Sequence, residues 1–226
     1  RCPSCESPYL KMFGAGTQRV EAELRQMLDA AEGVGPGVPI VRMDADTTKG
    51  KGAHQRLLER FAAAEGGAVL LGTQMIAKGL DFDDVTLVGV INADTQLNLP
   101  DYRASERTFA LIEQVAGRAG RAQLEGRVLV QTYDAGHSAI AAAAAYDRPR
   151  FLRDELPKRR ALGYPPYVRM ANVLVWGRDE EAVRAAAEAL RAQLVELKEQ
   201  VAGDAWQVFE AQPCVLAKLR NVYRYH

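Results

Sequence analysis

Apolar positions along the first two thirds of the chain alternate between a helical and a strand rhythm. Val20, Leu24, Met27, Leu28 and Ala31 fall on one face of a helix that Thr17 is placed to cap, and Gly33 to Gly37, with Pro36 among them, ends it. Val38 to Met43 reads as a short buried strand. The polar loop DADTTKGKG follows, then a helix from about Ala53 to Ala64 with Leu57, Leu58 and Phe61 on its apolar face. Ala68 to Gly72 and Val85 to Ile91 are continuous β-rich runs, suited to a sheet covered on both faces. A helix from about Arg103 to Val115, a strand from Gly126 to Tyr133 and an alanine-rich helix from His137 to Ala145 complete the series. Strands alternating with helices predict an α/β fold built on a parallel sheet.

The pattern changes near Tyr146. Between Asp147 and Arg160 six basic residues face three acidic ones, and Pro149 and Pro157 read as helix breakers. After YPPY (Tyr164 to Tyr167) and a strand-like MANVLVW, a helix from about Asp179 to Val201 carries Val183, Ala187, Leu190, Leu194, Leu197 and Val201. Their spacing fits a coiled-coil seam, but a run of barely three heptads fits packing against the chain's own sheet better. Trp206 to Glu210 and Val215 to Tyr223 read as further strands.

Composition excludes several classes. Of 226 residues 48% are hydrophobic and 26% charged, and the formal net charge is zero, so no global field points to nucleic acid or membrane. No apolar run approaches a membrane span and no apolar N-terminal stretch resembles a signal peptide, which makes a cytoplasmic protein with no membrane partner the expectation. Three cysteines are too few for a disulfide scaffold. Cys2 and Cys5 have zinc-knuckle spacing, yet a structural site wants four ligands and no neighbour supplies the other two. CPSC is then either a turn with two free thiols or half of a site in an excised fragment, a reading that fits a chain lacking an initiator Met.

The chemistry concentrates in two stretches. QVAGRAGR places Arg118 and Arg121 three positions apart, each after a glycine. A guanidinium fork donates two parallel hydrogen bonds to phosphate oxygens. Gly117 and Gly120 each cost a helix roughly 1 kcal/mol, a cost retained where backbone or ligand must come close. The plain alternative is a glycine-rich helix end with both arginines in solvent. LLGTQMIAKGLDF holds Thr73, Gln74, Lys78, Gly79 and Asp81 just past a strand, where parallel sheets bind ligands. Its hydroxyl, amide and ammonium suit a phosphodiester backbone. Asp81 suits a ribose hydroxyl or one of the arginines. GAGTQR lacks the third glycine of a dinucleotide fingerprint and reads as a helix start. The basic groups Lys158-Arg159-Arg160 and Lys218, Arg220, Arg224 either track DNA phosphates or form a solvated face.

GTQMIAKGLDF and QVAGRAGR resemble motifs V and VI of superfamily 2 helicases. Together with DADTT, NADTQLNLPDYRASERTF, LGYPPY, RNVYRYH and the cysteine knuckle, they resemble the replication-restart helicases over essentially the whole chain. The family's more usual KGHDF reads KGLDF here, Leu80 standing where a histidine is common.

That resemblance implies a RecA-like helicase lobe over residues 9–146, a partial α/β C-terminal domain over 147–226, and a remnant of a zinc-binding insertion over 1–8. It implies Arg121 as an arginine finger with Arg118 beside it on the ATP phosphates, and Gln114, Gly117, Gly79 and Asp81 at the nucleotide. It places Thr73, Gln74 and Lys78 on DNA, and gives Cys2 and Cys5 as ligands of Zn2+. The implied activity is 3′-to-5′ unwinding with ATP and Mg2+ at stalled forks, with single-strand DNA-binding protein and primosome proteins as partners. No G-x-x-x-x-G-K-[ST] and no DEAD-type box occur: Gly50-Lys51 is followed by Gly52. The phosphate cradle and the magnesium aspartate are therefore expected on another lobe, and the chain alone is expected not to hydrolyse ATP. The rival readings are a motor-inactive primosome scaffold and a different superfamily 2 translocase.

Overall fold

The computed structural model describes residues 16–31, 37–77, 82, 84–117, 119, 126–201 and 206–226. The chain divides into two compact units, one up to Leu156 and one from Pro157.

In the first unit α1 (Thr17–Ala30) follows Gly16, whose extended backbone leads into the helix. Thr17 does not cap it. Its hydroxyl donates instead to Asp44 at 2.6 Å, a longer-range bond stronger than a neutral helix-end contact because the acceptor is ionised. Val20, Leu24 and Leu28 are half-buried, but Met27, expected on the same face, is 69% exposed. The terminating segment 32–36 lies outside the described residues.

Strands β1 (Ile40–Met43) and β2 (Val69–Gly72) pair in parallel, Ile40 opposite Val69 and Met43 opposite Gly72. Between them α2 (Ala53–Ala62) lays Leu57, Leu58 and Phe61 inward, as their spacing predicts. Gly72 admits no side chain: a Cβ there would overlap the Met43 carbonyl and lie 2.7 Å from Ile76 Cγ2. The chain then makes a 3-10 turn (Gln74–Ala77) that the hydrophobic pattern did not forecast.

Strands β3 (Leu87–Val90) and β4 (Arg127–Val130) form a second parallel pair, Leu87 opposite Arg127. Among the described residues the four strands make two separate pairs rather than one sheet. Nor is the second pair covered on both faces. Burial alternates along it, with Leu87 57% and Leu129 62% exposed. Its inner face lies on the core, where Val90 and Val130 meet residues of α4 (Ala104–Ala116), α5 (Ser138–Ala144) and α6 (Arg148–Ala161). Ala139, Ala142 and Ala143 of α5 are fully enclosed, small enough to bring α5 close to α4. Phe109 of α4 stacks on Phe151 of α6 with ring centroids 4.5 Å apart.

Helix α6 corrects the reading of the Pro149–Pro157 stretch as broken. Pro149 is its second residue, where no intrahelical donor is needed, and Pro157 lies inside it. Burial of Phe151 and Glu155 holds the helix through the missing rung.

The second unit holds β5 (Val175–Gly177), α7 (Glu180–Val201), β6 (Pro213–Leu219) and β7 (Val222–Tyr225), the strands antiparallel in the order β5-β7-β6. Arg220 and Asn221 both adopt positive φ (51° and 63°), the backbone that a two-residue hairpin between β6 and β7 requires. Asp179 accepts from the Ala182 N–H to start α7, which packs on β5 and β7, its own sheet. Val183 and Ala187 are buried, but the seam fades: Leu197 is 45% and Val201 74% exposed. Trp206 to Glu210 is irregular rather than a strand, and MANVLVW is strand only at its end.

The crowding at Gly72 yields a test. Gly72→Ala is expected to lower the unfolding free energy by about 1–3 kcal/mol through overpacking. Denaturant melts that match wild type would show that the ends of β1 and β2 can separate at no cost.

Candidate functional site

Among the described residues the candidate chemistry lies past the C-terminal ends of the parallel strands and at the end of α4. At the end of β1, Asp44 is 6% exposed and accepts from the Thr17 hydroxyl and from the N–H groups of Asp46 (2.9 Å) and Thr47 (3.0 Å). Arg42 Nε lies 3.2 Å from it. The Thr17 hydroxyl first, then the Thr47 N–H, hold the Asp44 carboxyl down at about 2 against the upward push of burial. The Thr48 hydroxyl donates to the Asp44 carbonyl (2.6 Å), and the Thr47 hydroxyl accepts from the Asp44 N–H (2.9 Å). Asp44, Thr47 and Thr48 of DADTT thus close the loop and tie it to Thr17, while Asp46 pairs with Lys49 at 2.7 Å.

At the end of β2, Thr73 and Gln74 are exposed, and Gln74 Nε2 donates to Gln96 Oε1 at 2.8 Å. Phe82, the last residue of the same motif, meets Phe61 of α2 edge to face at 4.9 Å. Past β3 comes the short helix α3 (Asp94–Leu97), started by Asn92, whose side chain accepts from the Thr95 N–H. Asp94 is buried and accepts from the Thr132 hydroxyl (3.0 Å) and the Tyr133 N–H (3.1 Å), which ties the end of β3 to the end of β4. At Asp101, burial pushes the carboxyl up, but the Arg103 N–H and the Arg107 and Arg103 guanidinium groups outweigh it and leave the group lowered.

At the end of α4, Gln114 and Gly117 line an open cleft of about 420 Å3 with Ala110, Glu113, Tyr146 and Arg148. Arg148 pairs with Glu113 at 2.6 Å across it. Among the described residues a Cβ on Gly117 would meet only ordinary contact, 3.5 Å from the Glu113 carbonyl, so packing against them does not demand glycine there. Helix α4 packs against the 3-10 turn that carries Gln74.

Of the residues singled out from sequence, Thr73, Gln74, Gln114 and Gly117 are therefore placed. Lys78, Gly79, Asp81, Arg118, Arg121, Cys2 and Cys5 lie outside the described residues. No role follows from the sequence for Asp44, Asp94 or Gln96, although Asp44 comes directly after one apolar strand run and Asp94 three residues past another. Among the described residues no group of three or more His, Cys, Asp or Glu is arranged to hold a metal, Cys214 is a free half-buried thiol, and no helix is long and apolar enough to cross a membrane. Some of the basic groups are partly engaged within the second unit: Arg160 lies over the Tyr167 ring at 5.7 Å, and Lys218 donates to the Tyr223 hydroxyl at 2.8 Å.

Residues 12–123 match the helicase conserved C-terminal domain, and residues 160–226 match the primosomal protein N C-terminal domain. The chain is 44% identical over 225 residues to the replication restart protein PriA of Bacillus subtilis, covering 99% of this chain and 26% of that protein. The PriA proteins of Synechocystis (40%) and Chlamydia muridarum (37%) align over the same 99% of the chain, and over 26% and 28% of their own lengths. The chain belongs to the PriA family. It spans about a quarter of the length of the PriA relatives it matches. With the helicase match over most of the first unit, the architecture is α/β, a RecA-like lobe of helices with small sheets.

The Asp44 cluster carries a pH signature. Because its carboxyl titrates near 2 when folded, below the unfolded value of about 3.9, its stabilisation is present above about pH 4 and lost as pH falls through 2. Asp44→Asn is expected to cost about 1.5–3 kcal/mol at pH 7. Melts at pH 7, 4 and 2.5 should show the gap from wild type closing toward the acid end, and a pH-independent gap would contradict the assignment.

Proposed function

We propose that this chain is the second motor lobe, with part of the C-terminal domain, of an ATP-dependent DNA helicase that moves 3′ to 5′ and restarts stalled replication forks. The observation that carries this reading is the packing of α4, which bears Gln114 and leads into GRAGR, against the turn that bears Gln74. A helix that ends in candidate nucleotide residues, packed on a turn that bears a candidate DNA residue, offers a motor one rigid element between the phosphates and the strand it holds. Gly117 on the cleft at the end of α4, without a side chain of its own, suits close approach of a ligand.

In this reading the lobe runs over residues 9–146 and the partial C-terminal domain over 147–226. Arg121 and Arg118 stabilise charge developing on the triphosphate. Gln114, Gly117, Gly79 and Asp81 border the nucleotide, while Thr73, Gln74 and Lys78 hold the DNA backbone. ATP supplies the driving energy when bound with Mg2+ between this lobe and one carrying the phosphate cradle. Cys2 and Cys5 contribute to a Zn2+ knuckle used in primosome assembly, with single-strand DNA-binding protein and primosome proteins as partners in the cytoplasm.

The decisive experiment uses the full-length protein. Arg121→Ala is expected to lower DNA-stimulated ATP turnover by roughly three to five orders of magnitude, the range of an arginine finger. Unchanged turnover would remove Arg121 from the catalytic machinery, and a wild-type protein with no DNA-stimulated turnover would favour a motor-inactive primosome scaffold. Lys78→Ala is expected to weaken single-strand binding at every sequence and to reduce the slope of log affinity against log salt by about one unit or slightly less. A salt slope equal to that of wild type would remove Lys78 from the DNA path.

A further inference from the structure

Gln96 stands outside every role given so far, yet its amide is unusual. Its Oε1 accepts the Gln74 Nε2 donor at 2.8 Å, while its own Nε2 is buried with no acceptor among the described residues. A buried amide donor is ordinarily partnered, because an unmade hydrogen bond in the interior forfeits the water it had. The arrangement therefore persists because the surrounding structure fixes it. Asp94, two residues earlier, is bound to Thr132 and Tyr133, and Leu97, one residue later, packs against the core. Between these two anchors Gln96 has little freedom, and it presents its acceptor end toward the turn after β2.

Gln74 is exposed on that turn, with a long side chain and a terminal amide able to rotate. Phosphodiester oxygens only accept hydrogen bonds. An unrestrained glutamine presents either its carbonyl or its amino end to such a group, and the carbonyl end repels it. A hydrogen bond from one N–H of Gln74 to a fixed acceptor settles the orientation and leaves the second N–H for the strand. The side-chain entropy that binding would otherwise cost has then been lost in advance.

We infer that Gln96 is a positioning residue for DNA: anchored by α3, it orients the Gln74 amide so that a donor faces the phosphodiester backbone. This rests on the reading of Gln74 as a DNA contact. It adds a residue in a different element, 22 positions away, to the same contact.

The test is a double-mutant cycle in the full-length protein. DNA-stimulated ATP turnover is titrated with a poly-dT single strand, and thermal melting is recorded for each variant. Gln96→Met keeps the side chain's length while removing both the acceptor and the unpartnered donor. It is expected to raise the DNA concentration for half-maximal turnover by roughly two- to tenfold, the range of one hydrogen bond. The rate at saturating DNA should stay within about twofold, and the melting temperature should be unchanged or higher, because a buried orphan donor is gone. A residue with only a structural role would lower the melting temperature instead. Gln74→Ala should produce a similar rise, and adding Gln96→Met to it should produce no more. If Gln74→Ala raises the half-maximal concentration and Gln96→Met does not, or if the two effects multiply, the inference is overturned while Gln74 keeps its place on DNA. If Gln74→Ala itself changes nothing, the DNA reading of that turn fails and this inference with it.

Discussion

Past the last rung of a parallel strand pair, backbone N–H groups still need acceptors, and in the first unit buried carboxylates supply them. Asp44 takes the N–H groups of the loop that follows β1, and Asp94 takes the Tyr133 N–H beyond β4. Each also accepts a hydroxyl from a distant element, Thr17 for Asp44 and Thr132 for Asp94. The carboxylates thus bind segments 27 and 38 residues apart. Without these closures the ends of the strands, where the candidate chemistry is collected, would be free to splay.

The order this imposes passes outward. Asp94 fixes α3, α3 fixes Gln96, and Gln96 holds the end of Gln74. On the other side, α4 rests on the turn that carries Gln74 and ends at Gln114 and Gly117. The candidate nucleotide edge and the candidate DNA edge therefore share a support, and that support is polar at its root and apolar at its core. Family membership and the α/β architecture agree with this layout, in which loops after strands carry function and the elements beneath them carry rigidity.

Helices and strands of this unit were largely legible because their apolar spacing is a local property. The helices around Leu57 and Phe109 and the strands around Val41, Leu71 and Val128 lie where their periods place them. What failed was decided by partners distant in sequence. Thr17 had a nearby helix end to cap and was drawn instead to an ionised group 27 residues on. Pro157 should have stopped a helix, but Phe151 and Glu155, buried on the same helix, keep it intact. Trp206 to Glu210 has β-forming residues and no strand, because side-chain preference alone does not supply a ladder partner. For the site, Gln74 and Gln114 were legible from motif chemistry. Gln96 was not: its stretch NADTQLNLPDYRASERTF counted toward the resemblance, but no local chemistry marks this residue until the fold brings it beside Gln74.

The alanines of α5 have a mechanical consequence. With Ala139, Ala142 and Ala143 enclosed, α4 and α5 pack closely, and a close-packed seam of small side chains yields little to a shift. Events at the tip of α4 are then passed to α5 rather than taken up between the two helices. Bulk added far from any ligand, one methylene on the buried side of α5, would displace that seam.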